Sequence, residues 1–410
     1  MPRDRAQKRP PRTGEGRTIE CRIEGLAFGG EGVARVEGMV VFVEGGLPGE
    51  RALVEITRTG KNYLRGRAAE IIEFSADRVS PPCRLFGRCG GCGLQHLRYE
   101  SQVEWKRRQV LDILARIGGL GEFTCGDAVP SPRAYGYRNS VRLHRFPGRE
   151  PRYGFYCLDN RMLVEVPRCE IAMDAINAAL PGIQKRAARG STIDELSLRV
   201  DADGLVVVHP GWAAVRSMSG EIGGFRFLLN PASFFQVNTP VAAAIASRLA
   251  AWAGAAGGGG TLFDLHCGVG VFPALLRDRF ARVVGIDRDA RAIACARENV
   301  ARGTGAECHF IPGEAGQRFG ELYDRYAAEE SVALLDPPRG GVEESLVALL
   351  SGADRRLAKI LYVSCNPATL ARDLKRLCAG GAWRLDEAAV FDMFPQTAHV
   401  EVCCAIGRSG

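Results

Sequence analysis

Four stretches in the last third of the chain share one pattern: an apolar strand, then a turn, then a helix or its first residues. Units of this kind build a mainly parallel sheet with helices on both faces, because each parallel strand needs a crossover to reach the next. Ligands of such sheets bind at the carboxyl ends of the strands. Residues 231–410 are therefore predicted to form one α/β domain. The four stretches are TLFDLHCGVGVFPALL, RVVGIDRDARAIACARENV, SVALLDPPRGG and KILYVSCNPATLARDL.

The first of these turns has the composition of a nucleotide-binding loop. Gly268 and Gly270 follow a strand and precede a helix, where the backbone must approach a ligand closely. The next strand ends at Asp287, which can accept both ribose hydroxyls of an adenosine. A dinucleotide loop would have a small residue at Pro273, and Asp264 leads this loop, so S-adenosylmethionine is favoured over NAD. The alternative is a strand–helix turn that binds nothing.

The fourth strand ends on a thiol, Cys365, at the same edge of the sheet. Most cysteines in α/β sheets are small buried hydrophobic residues, but this one precedes a helix start, where the thiolate is favoured. A thiolate that adds to C6 of a pyrimidine turns C5 into a nucleophile for the methyl group of a sulfonium.

A base must then remove the proton from C5. The late segment MFPQTAHVEVC offers His399 and Glu401 for this step. Glu401 lies in an apolar strand, where desolvation would raise its pKa and suit it to taking a proton. Either residue could also be an ordinary edge-strand residue. In LLDPPRGG, Asp336 ends another strand, as a carboxylate of the same site or as a helix cap.

Together these motifs resemble those of the S-adenosylmethionine-dependent RNA 5-methyluridine methyltransferases. The resemblance rests on DLHCGVG, DPPRGG, YVSCNPATLARDL, FPQTAHVE and NPASFFQVN, and it covers the whole C-terminal domain. It implies a Rossmann-like class I methyltransferase fold, with Cys365 as nucleophile and Glu401 as base. The family often has an aromatic residue at position 266 and a polar residue at 271. The resemblance also implies cofactor contacts by Gln236, His266, Val271, Asp287, Glu314 and Asp336.

Three closely spaced cysteines precede this domain in C-x5-C-x2-C spacing, and Cys169 is a distant fourth. Clustered thiols in a cytosolic protein more often bind metal or do chemistry than form disulfides. Four thiolates suit zinc or an iron–sulfur cluster, and the single distant ligand favours the cluster. Similar ribosomal RNA members of the family carry C-x5-C-G-G-C, which implies a 4Fe-4S cluster with a structural or folding role. Its ligands would be Cys83, Cys89, Cys92 and Cys169.

The N-terminal part of the chain differs in composition. Residues 1–17 form a basic tail, with six Lys or Arg against two acids, and it is either a disordered solvated extension or a phosphate-seeking arm. Short alternating strands broken by glycines over residues 18–75 predict an OB-like β-barrel. This barrel resembles a TRAM domain, an RNA-binding module. Residues 76–230 are predicted to form a central α+β domain that contains the cysteine site.

Residues 133–156 of the central domain contain six arginines and six aromatic residues. Such a segment can grip single-stranded RNA, or it is a solvated strand face with core tyrosines. The TRAM-like barrel and the cysteine motif favour a ribosomal RNA member of the family, because its bacterial transfer RNA members often lack both.

The predicted reaction is therefore methylation of C5 of a uridine in 23S ribosomal RNA through a covalent cysteine adduct. The target uridine must be unstacked into the pocket so that its C6 can meet the thiol. One alternative is the same reaction on the T-loop uridine of transfer RNA. Rivals of other classes are an RNA-binding iron–sulfur protein with an inactive methyltransferase domain and an NAD-dependent oxidoreductase.

No segment of the sequence predicts a membrane protein. The longest apolar runs are shorter than the roughly 20 residues that span a bilayer, and the N-terminus lacks the apolar segment of a signal peptide. Apolar residues make up 46% of the chain, which is ordinary for a soluble protein. We therefore expect a cytoplasmic protein, and a monomer, since no feature requires an oligomer.

Overall fold

The computed structural model describes residues 16–146, 152–189, 191–210, 217–254, 259–301 and 305–409. The basic tail predicted over residues 1–17 lies almost entirely outside these ranges. Along the described chain, a closed barrel is followed by a five-stranded sheet, a two-stranded hairpin and an eight-stranded sheet. No helix in the described ranges has the length and apolar character needed to cross a bilayer.

The N-terminal part is a closed barrel of five strands. They are β1 (Thr18–Leu26), β2 (Gly32–Val36), β3 (Met39–Glu44), β4 (Arg51–Thr59) and β5 (Tyr63–Glu73). They are joined in the order β1-β2-β3-β5-β4, with β1 and β4 closing the barrel. Alternation along the strands points one set of side chains inward, and Val41, Val43 and Val54 fill the interior. The predicted small barrel is confirmed.

A helix connects the barrel to the C-terminal sheet. The elements here are α1 (Tyr99–Ile113), a π-helical turn (Leu114–Gly118) and β6 (Thr124–Cys125). On one side, Gln109 Nε2 donates to the carbonyl oxygens of Leu26 and Ala27 in the barrel, at 2.9 and 3.0 Å. On the other side, Val110 and Leu114 are buried in a core of the C-terminal sheet. α1 therefore contacts both ends of the molecule.

The central part is an antiparallel five-stranded sheet covered by one helix. Its elements are β7 (Ser140–Arg145), β8 (Tyr153–Tyr156), β9 (Leu163–Glu165), α2 (Asp174–Ala187), β10 (Glu195–Val200) and β11 (Val206–His209). The strand order is β11-β10-β7-β8-β9. β10 and β11 form a hairpin around Asp203-Gly204. Leu143 and Leu196 pack with Ile176 of α2 in a separate core.

The C-terminal part is an eight-stranded sheet with helices on both faces. Before it come β12 (Met218–Ile222), β13 (Phe225–Leu229) and α3 (Thr239–Ala253). The sheet elements are β14 (Thr261–Asp264), α4 (Val271–Leu276), β15 (Arg282–Asp287), α5 (Ala290–Ala301), β16 (Glu307–Pro312), α6 (Ala315–Tyr326), β17 (Ser331–Leu335), α7 (Glu344–Gly352), β18 (Leu357–Ser364), α8 (Pro367–Cys378), β19 (Trp383–Phe391) and β20 (Glu401–Arg408). The strand order is β16-β15-β14-β17-β18-β20-β19-β6.

This strand order determines where a ligand can bind. β14 has β15 on one side and β17 on the other, so the chain changes direction across the sheet at β14. Such a switch point leaves a crevice at the strand carboxyl ends. Apolar cores cover both faces of the sheet, and Phe227 and Leu229 of the β12–β13 hairpin belong to one of them. The domain boundary at residue 231 stays a prediction, since this core already includes residues before it.

Candidate active site

A cavity of about 560 Å³ lies at the carboxyl edge of the eight-stranded sheet. It brings together residues from distant parts of the sequence, which approach one another only because β14, β15, β17 and β18 end side by side. Val271 begins α4 and packs in the apolar core beside the sheet. The predicted site residues that line the cavity are Gln236, His266, Asp287, Glu314, Asp336, Cys365 and Glu401.

The loop between β14 and α4 is held by backbone contacts to Asp287. The Gly268 amide donates to Asp287 Oδ2 at 2.8 Å, and the Asp289 amide donates to Asp287 Oδ1 at 2.8 Å. Gly270 has a φ of +82°, and a Cβ there would lie 3.1 Å from the Cβ of Ala296. Glycine is therefore required at position 270 by both conformation and space. The Asp287 carboxylate is therefore held at the cavity, and its remaining lone pairs can accept hydrogen bonds from a ligand.

Two polar atoms buried at this edge have no hydrogen-bond partner within the described chain, Asp264 Oδ2 and His266 Nδ1. Burial raises the pKa of Asp264 well above its ordinary value, with smaller effects from Asp336 and Asp287. Burial and then Asp287 raise the pKa of Asp336 to about 7. Burial lowers the pKa of His266 to about 4. Because buried polar atoms are normally hydrogen-bonded, this edge suits a polar ligand with a positive charge.

Cys365 follows the last residue of β18 and precedes α8. Asn366 caps the helix, and its side-chain oxygen accepts a hydrogen bond of 3.1 Å from the backbone nitrogen two residues later. β20 runs antiparallel beside β18 and pairs Ser364 with Val402. One residue further along the same register, Cys365 lies beside Glu401, at the end of both strands.

The protonation of Cys365 and Glu401 depends on burial and on three charged neighbours. Burial raises the pKa of the Cys365 thiol, and the Glu401 carboxylate adds to that rise. Burial and then Asp336 raise the pKa of Glu401 well above its ordinary value, as predicted. Arg339 lowers the pKa of both groups. The predicted effect of the helix N-terminus on the thiol stays a prediction, and burial and the carboxylates act on the pKa in the opposite direction.

Of the two bases that the sequence offered, Glu401 lines the cavity and His399 does not. His399 Nε2 lies 3.4 Å from Arg339 Nη2. Burial and then Arg339 lower the pKa of His399 to about 4. Its ring packs edge-on against Phe394, with 6.0 Å between the ring centroids. The geometry therefore favours Glu401 as the proton acceptor.

The cavity also includes side chains that were not predicted as site residues, among them Arg138, Phe234, Arg339 and Phe394. Phe234 is 70% exposed, which is unusual for a phenylalanine. All four lie in motifs that the sequence displays, namely YRN, NPASFFQVN, DPPRGG and FPQTAHVE. Their chemistry was the signal that could have identified them as site residues. Arginines lie near carboxylates, and an unstacked base needs aromatic rings to contact.

A second cavity, of about 260 Å³, is lined by all four cysteines predicted as metal ligands: Cys83, Cys89, Cys92 and Cys169. Burial raises the pKa of Cys92 to about 12, and the neighbouring thiols add to this rise. In the part of the chain that the structure describes, no three His, Cys, Asp or Glu side chains lie close enough to hold a metal ion. The thiols surround a common space without forming a site for one ion.

A fifth cysteine lies beside this cavity and was missed by the sequence argument. Cys157 pairs with Cys89 in a short antiparallel bridge. The Gly90 amide donates to the Tyr156 carbonyl at 2.9 Å, and the Leu158 amide donates to the Arg88 carbonyl at 3.1 Å. Cys89 and Cys157 thus form a non-hydrogen-bonded pair of an antiparallel bridge. In this type of pair the two side chains lie closest to each other. No local sequence signal separates Cys157 from other cysteines.

The arginine- and aromatic-rich segment divides between core and surface. Tyr153 is fully buried, and its hydroxyl donates to the Ile193 carbonyl at 2.6 Å. Tyr137 is buried, and its hydroxyl donates to the Pro395 carbonyl at 3.0 Å. Tyr156 is 43% exposed. Two of the six aromatic residues are therefore core tyrosines, and residues 147–151 of this segment lie outside the described ranges.

Comparison with known proteins gives two family matches. Residues 221–408 match the model of the tRNA (uracil-5-)-methyltransferase family, and residues 12–69 match that of the TRAM domain. The 23S rRNA (uracil(1939)-C(5))-methyltransferase RlmD of Acidithiobacillus ferrooxidans is 34% identical, over 92% of this chain and 95% of that protein. The uncharacterized RNA methyltransferase tlr0942 of Thermosynechococcus vestitus is 32% identical, over 96% of this chain and 99% of that protein.

One solved structure shares the fold over nearly the whole chain. It is the tRNA (uracil-54, C5)-methyltransferase of Pyrococcus abyssi in complex with S-adenosyl-L-homocysteine. The TM-score is 0.68 at 24% identity, and the match covers 95% of this chain and 100% of that one. The barrel, the central sheet and the C-terminal sheet therefore form a known combination.

Proposed function

The chain belongs to the tRNA (uracil-5-)-methyltransferase family and carries a TRAM domain, and we propose that it methylates C5 of a uridine in 23S ribosomal RNA through a covalent adduct on Cys365. It is an S-adenosylmethionine-dependent RNA uracil-C5 methyltransferase. The observation that carries the covalent mechanism is that Cys365 and Glu401 line one cavity at the same end of β18 and β20, together with Asp287 and Asp336.

The proposed reaction begins at the Cys365 thiol, which loses its proton and adds to C6 of the uracil. The electron pair moves to C5, which becomes nucleophilic enough to take a methyl group. Glu401 then accepts the proton from C5, the C6–S bond breaks, and the thiolate leaves. Arg339 supports both steps, because its charge lowers the pKa of the thiol and of the carboxyl.

The residues at the β14 and β15 ends fit S-adenosylmethionine, which supplies the methyl group. Asp287 would accept the ribose hydroxyls, since both of its oxygens are already oriented by backbone amides. Burial, and then the neighbouring acids, raise the pKa of Asp264 and Asp336, and a nearby sulfonium would favour their charged forms. Gln236, His266 and Glu314 line the same wall. For Val271, buried beside the loop, only a backbone contact is proposed.

We further propose that Cys83, Cys89, Cys92 and Cys169 hold a 4Fe-4S cluster. The fit rests on the donor set, because four thiols of one cavity are the ligands that such clusters use. The described residues form no site for a single metal ion, so the proposal rests on the donor set alone. Methyl transfer requires no electron, so the proposed role is structural.

The choice of ribosomal RNA rests on the ribosomal relative at 34% identity. The alternative, the T-loop uridine of transfer RNA, is favoured by one observation. The structure of the Pyrococcus abyssi tRNA (uracil-54, C5)-methyltransferase matches 95% of this chain, so this architecture does not separate the two substrates. An inactive methyltransferase domain is disfavoured by Cys365, Glu401 and the glycine loop.

The substrate is tested by incubating the purified protein with labelled S-adenosylmethionine and either 23S ribosomal RNA fragments or unmodified transfer RNA. Methylated uridines are then mapped in each RNA, with Cys365→Ala as the inactive control. We expect label in one segment of 23S RNA. Label only in transfer RNA would overturn the substrate, and no label in either would contradict the proposed reaction. Light scattering of the same sample tests whether the protein is the monomer that we propose.

The cluster is tested by measuring iron and sulfide in protein purified without oxygen. Cys92→Ser should lose both, because it removes one of four ligands. Cys157→Ser is the matched control, because Cys157 lies beside the cavity but outside the predicted ligand set, and it should retain both. Equal retention in Cys92→Ser would contradict the proposed ligand set.

A further inference from the structure

The loop between β19 and β20, residues 392–400, carries one wall of the active-site cavity. It begins after Phe391 and ends before Glu401, and these two residues pair across the strands. Phe394, within the loop, lines the cavity. Any displacement of this loop therefore moves both the ring of Phe394 and the start of the strand that carries Glu401.

Gln396 ties this loop to α1. It is 2% exposed and has a φ of +68°, a conformation that non-glycine residues rarely adopt. Its backbone amide donates to Gln102 Oε1 at 3.0 Å, and Gln102 Nε2 donates to Gln396 Oε1 at 2.9 Å. The two glutamines thus form a reciprocal amide pair in the interior of the protein.

The same residue is held by the cysteine segment. The Gln396 carbonyl accepts hydrogen bonds from the amides of Gly93 and Leu94, at 3.1 and 3.0 Å. Gln102 Nε2 also contacts the carbonyl of Leu94, at 3.0 Å. Gly93 directly follows Cys92 in the sequence. A single peptide bond therefore separates a cysteine of the second cavity from the contact that holds the active-site loop.

We infer that Gln102 and Gln396 are positioning residues that hold Phe394 and Glu401 in place for methyl transfer, and that they link the cysteine cavity to the active site. The inference rests on the proposed function. Neither glutamine lines the active-site cavity, so they act through the loop. A loosened loop would misplace the proton acceptor, and a displacement of 1 Å can cost about 100-fold in rate.

The same helix provides a matched control. Gln109 lies two turns after Gln102, is also buried, and also donates through Nε2 to two backbone carbonyls. Its partners belong to the barrel instead of the active-site loop. Gln102→Leu and Gln109→Leu therefore remove the same group from the same helix, and only Gln102→Leu releases the loop.

The test compares kcat and KM for methylation of the RNA that the wild-type protein accepts. We expect Gln102→Leu to lower kcat on the order of 100-fold with the KM for RNA unchanged, and Gln109→Leu to keep kcat. Gln396→Asn is the second variant, because asparagine tolerates a positive φ but is too short to reach Gln102. It should also lower kcat, and it decides the question if Gln102→Leu fails to fold.

Two results would overturn the inference alone. One is an unchanged kcat in Gln396→Asn with a fully active wild type. The other is an equal loss of kcat in Gln109→Leu, which would indicate general damage to α1. A wild-type protein that methylates no RNA would overturn the proposed function and this inference with it.

Discussion

Cys365 lies between Glu401 and Arg339, whose charges shift the pKa of its thiol in opposite directions. Burial raises that pKa further, so the nucleophile is protonated until a ligand changes its surroundings. A cationic sulfonium near the same acids would favour the thiolate.

Replacing Glu401 by glutamine tests the order of steps. Glu401→Gln keeps the shape of the side chain but removes the proton acceptor, so elimination stalls after methyl transfer. We expect an RNA adduct that survives denaturation, visible as a shifted band in a gel, and a turnover roughly 10²- to 10⁴-fold lower. Cys365→Ala should form no adduct, and the same band in that variant would refute the assignment of the nucleophile.

The pH dependence of the methylation rate tests the electrostatic role of Arg339. The thiol must lose its proton to attack, and the Glu401 carboxyl must be ionised to accept one, so activity rises with pH through both pKa values. Arg339 lowers both, and Arg339→Gln should move the rising limb of the pH–rate profile to higher pH. Arg376→Gln is the control, since Arg376 pairs with Glu344 outside the cavity. An unshifted profile in Arg339→Gln would contradict this electrostatic role.

At the scale of an element, the turn between β14 and α4 contains two glycines with different surroundings. A Cβ at Gly268 would meet no atom within 4 Å, although the residue has a φ of +51° and lines the cavity. A Cβ at Gly270 would press on Ala296 of α5. The open space at position 268 is therefore available to a ligand, whereas position 270 is restricted by the fold.

Alanine at these two positions should have separable effects. Gly268→Ala should weaken binding of S-adenosylhomocysteine by at least about tenfold, or about 1.4 kcal/mol, because the methyl group occupies space beside the ligand. Gly270→Ala should lose more stability, because it adds a steric clash to the cost of a left-handed residue. Calorimetric titration and urea unfolding measure the two effects. Wild-type affinity in Gly268→Ala would exclude close approach of the ligand to that turn.

At the scale of the whole molecule, three parts of the chain meet along α1. The helix binds the barrel through Gln109, the active-site loop through Gln102, and a core of the large sheet through Val110. Lys106 adds a buried ion pair, with its Nζ 2.6 Å from Asp392 Oδ1 and both side chains almost fully buried. α1 therefore joins the barrel to the C-terminal sheet.

Removing the charge of Lys106 should lower the stability of the folded protein. Lys106→Met leaves Asp392 buried without its partner, and we expect a loss of about 3–5 kcal/mol in the free energy of unfolding. Arg108→Met on the same helix breaks the exposed pair with Glu104 and should cost about 0.5 kcal/mol or less. Urea unfolding followed by circular dichroism measures both. Similar losses in the two variants would show that the buried pair has no special role.

Much of the fold could be predicted because it depends on local sequence patterns. Strand–turn–helix units predicted the large sheet, and glycine-punctuated alternation predicted the barrel. The short strand β6 could not be foreseen, since two residues carry no periodicity. Nor could the packing of the β12–β13 hairpin on the core of the large sheet, which depends on contacts with α5 and other distant elements.

The candidate site, like the fold, could be predicted from the sequence only in part. Cys365, Glu401 and Asp287 lie in motifs whose residue types and spacing indicate a chemical role. Their roles could therefore be predicted from the sequence. The charge environment of Cys365 could not be read locally, because Asp336 and Arg339 reach it from the segment after β17 and Glu401 from the start of β20. Cys157 was missed for the same reason, since only strand pairing brings it opposite Cys89.

By itself, therefore, the sequence determined the class of sheet, the barrel and the family, and it predicted the reacting groups, since these depend on residue types and short spacings. Only the tertiary structure decided which groups share a cavity, that the pKa of Cys365 is raised, and that Gln102 and Gln396 contact each other. Those properties arise from burial and from contacts between residues far apart in the chain, and no local pattern encodes them.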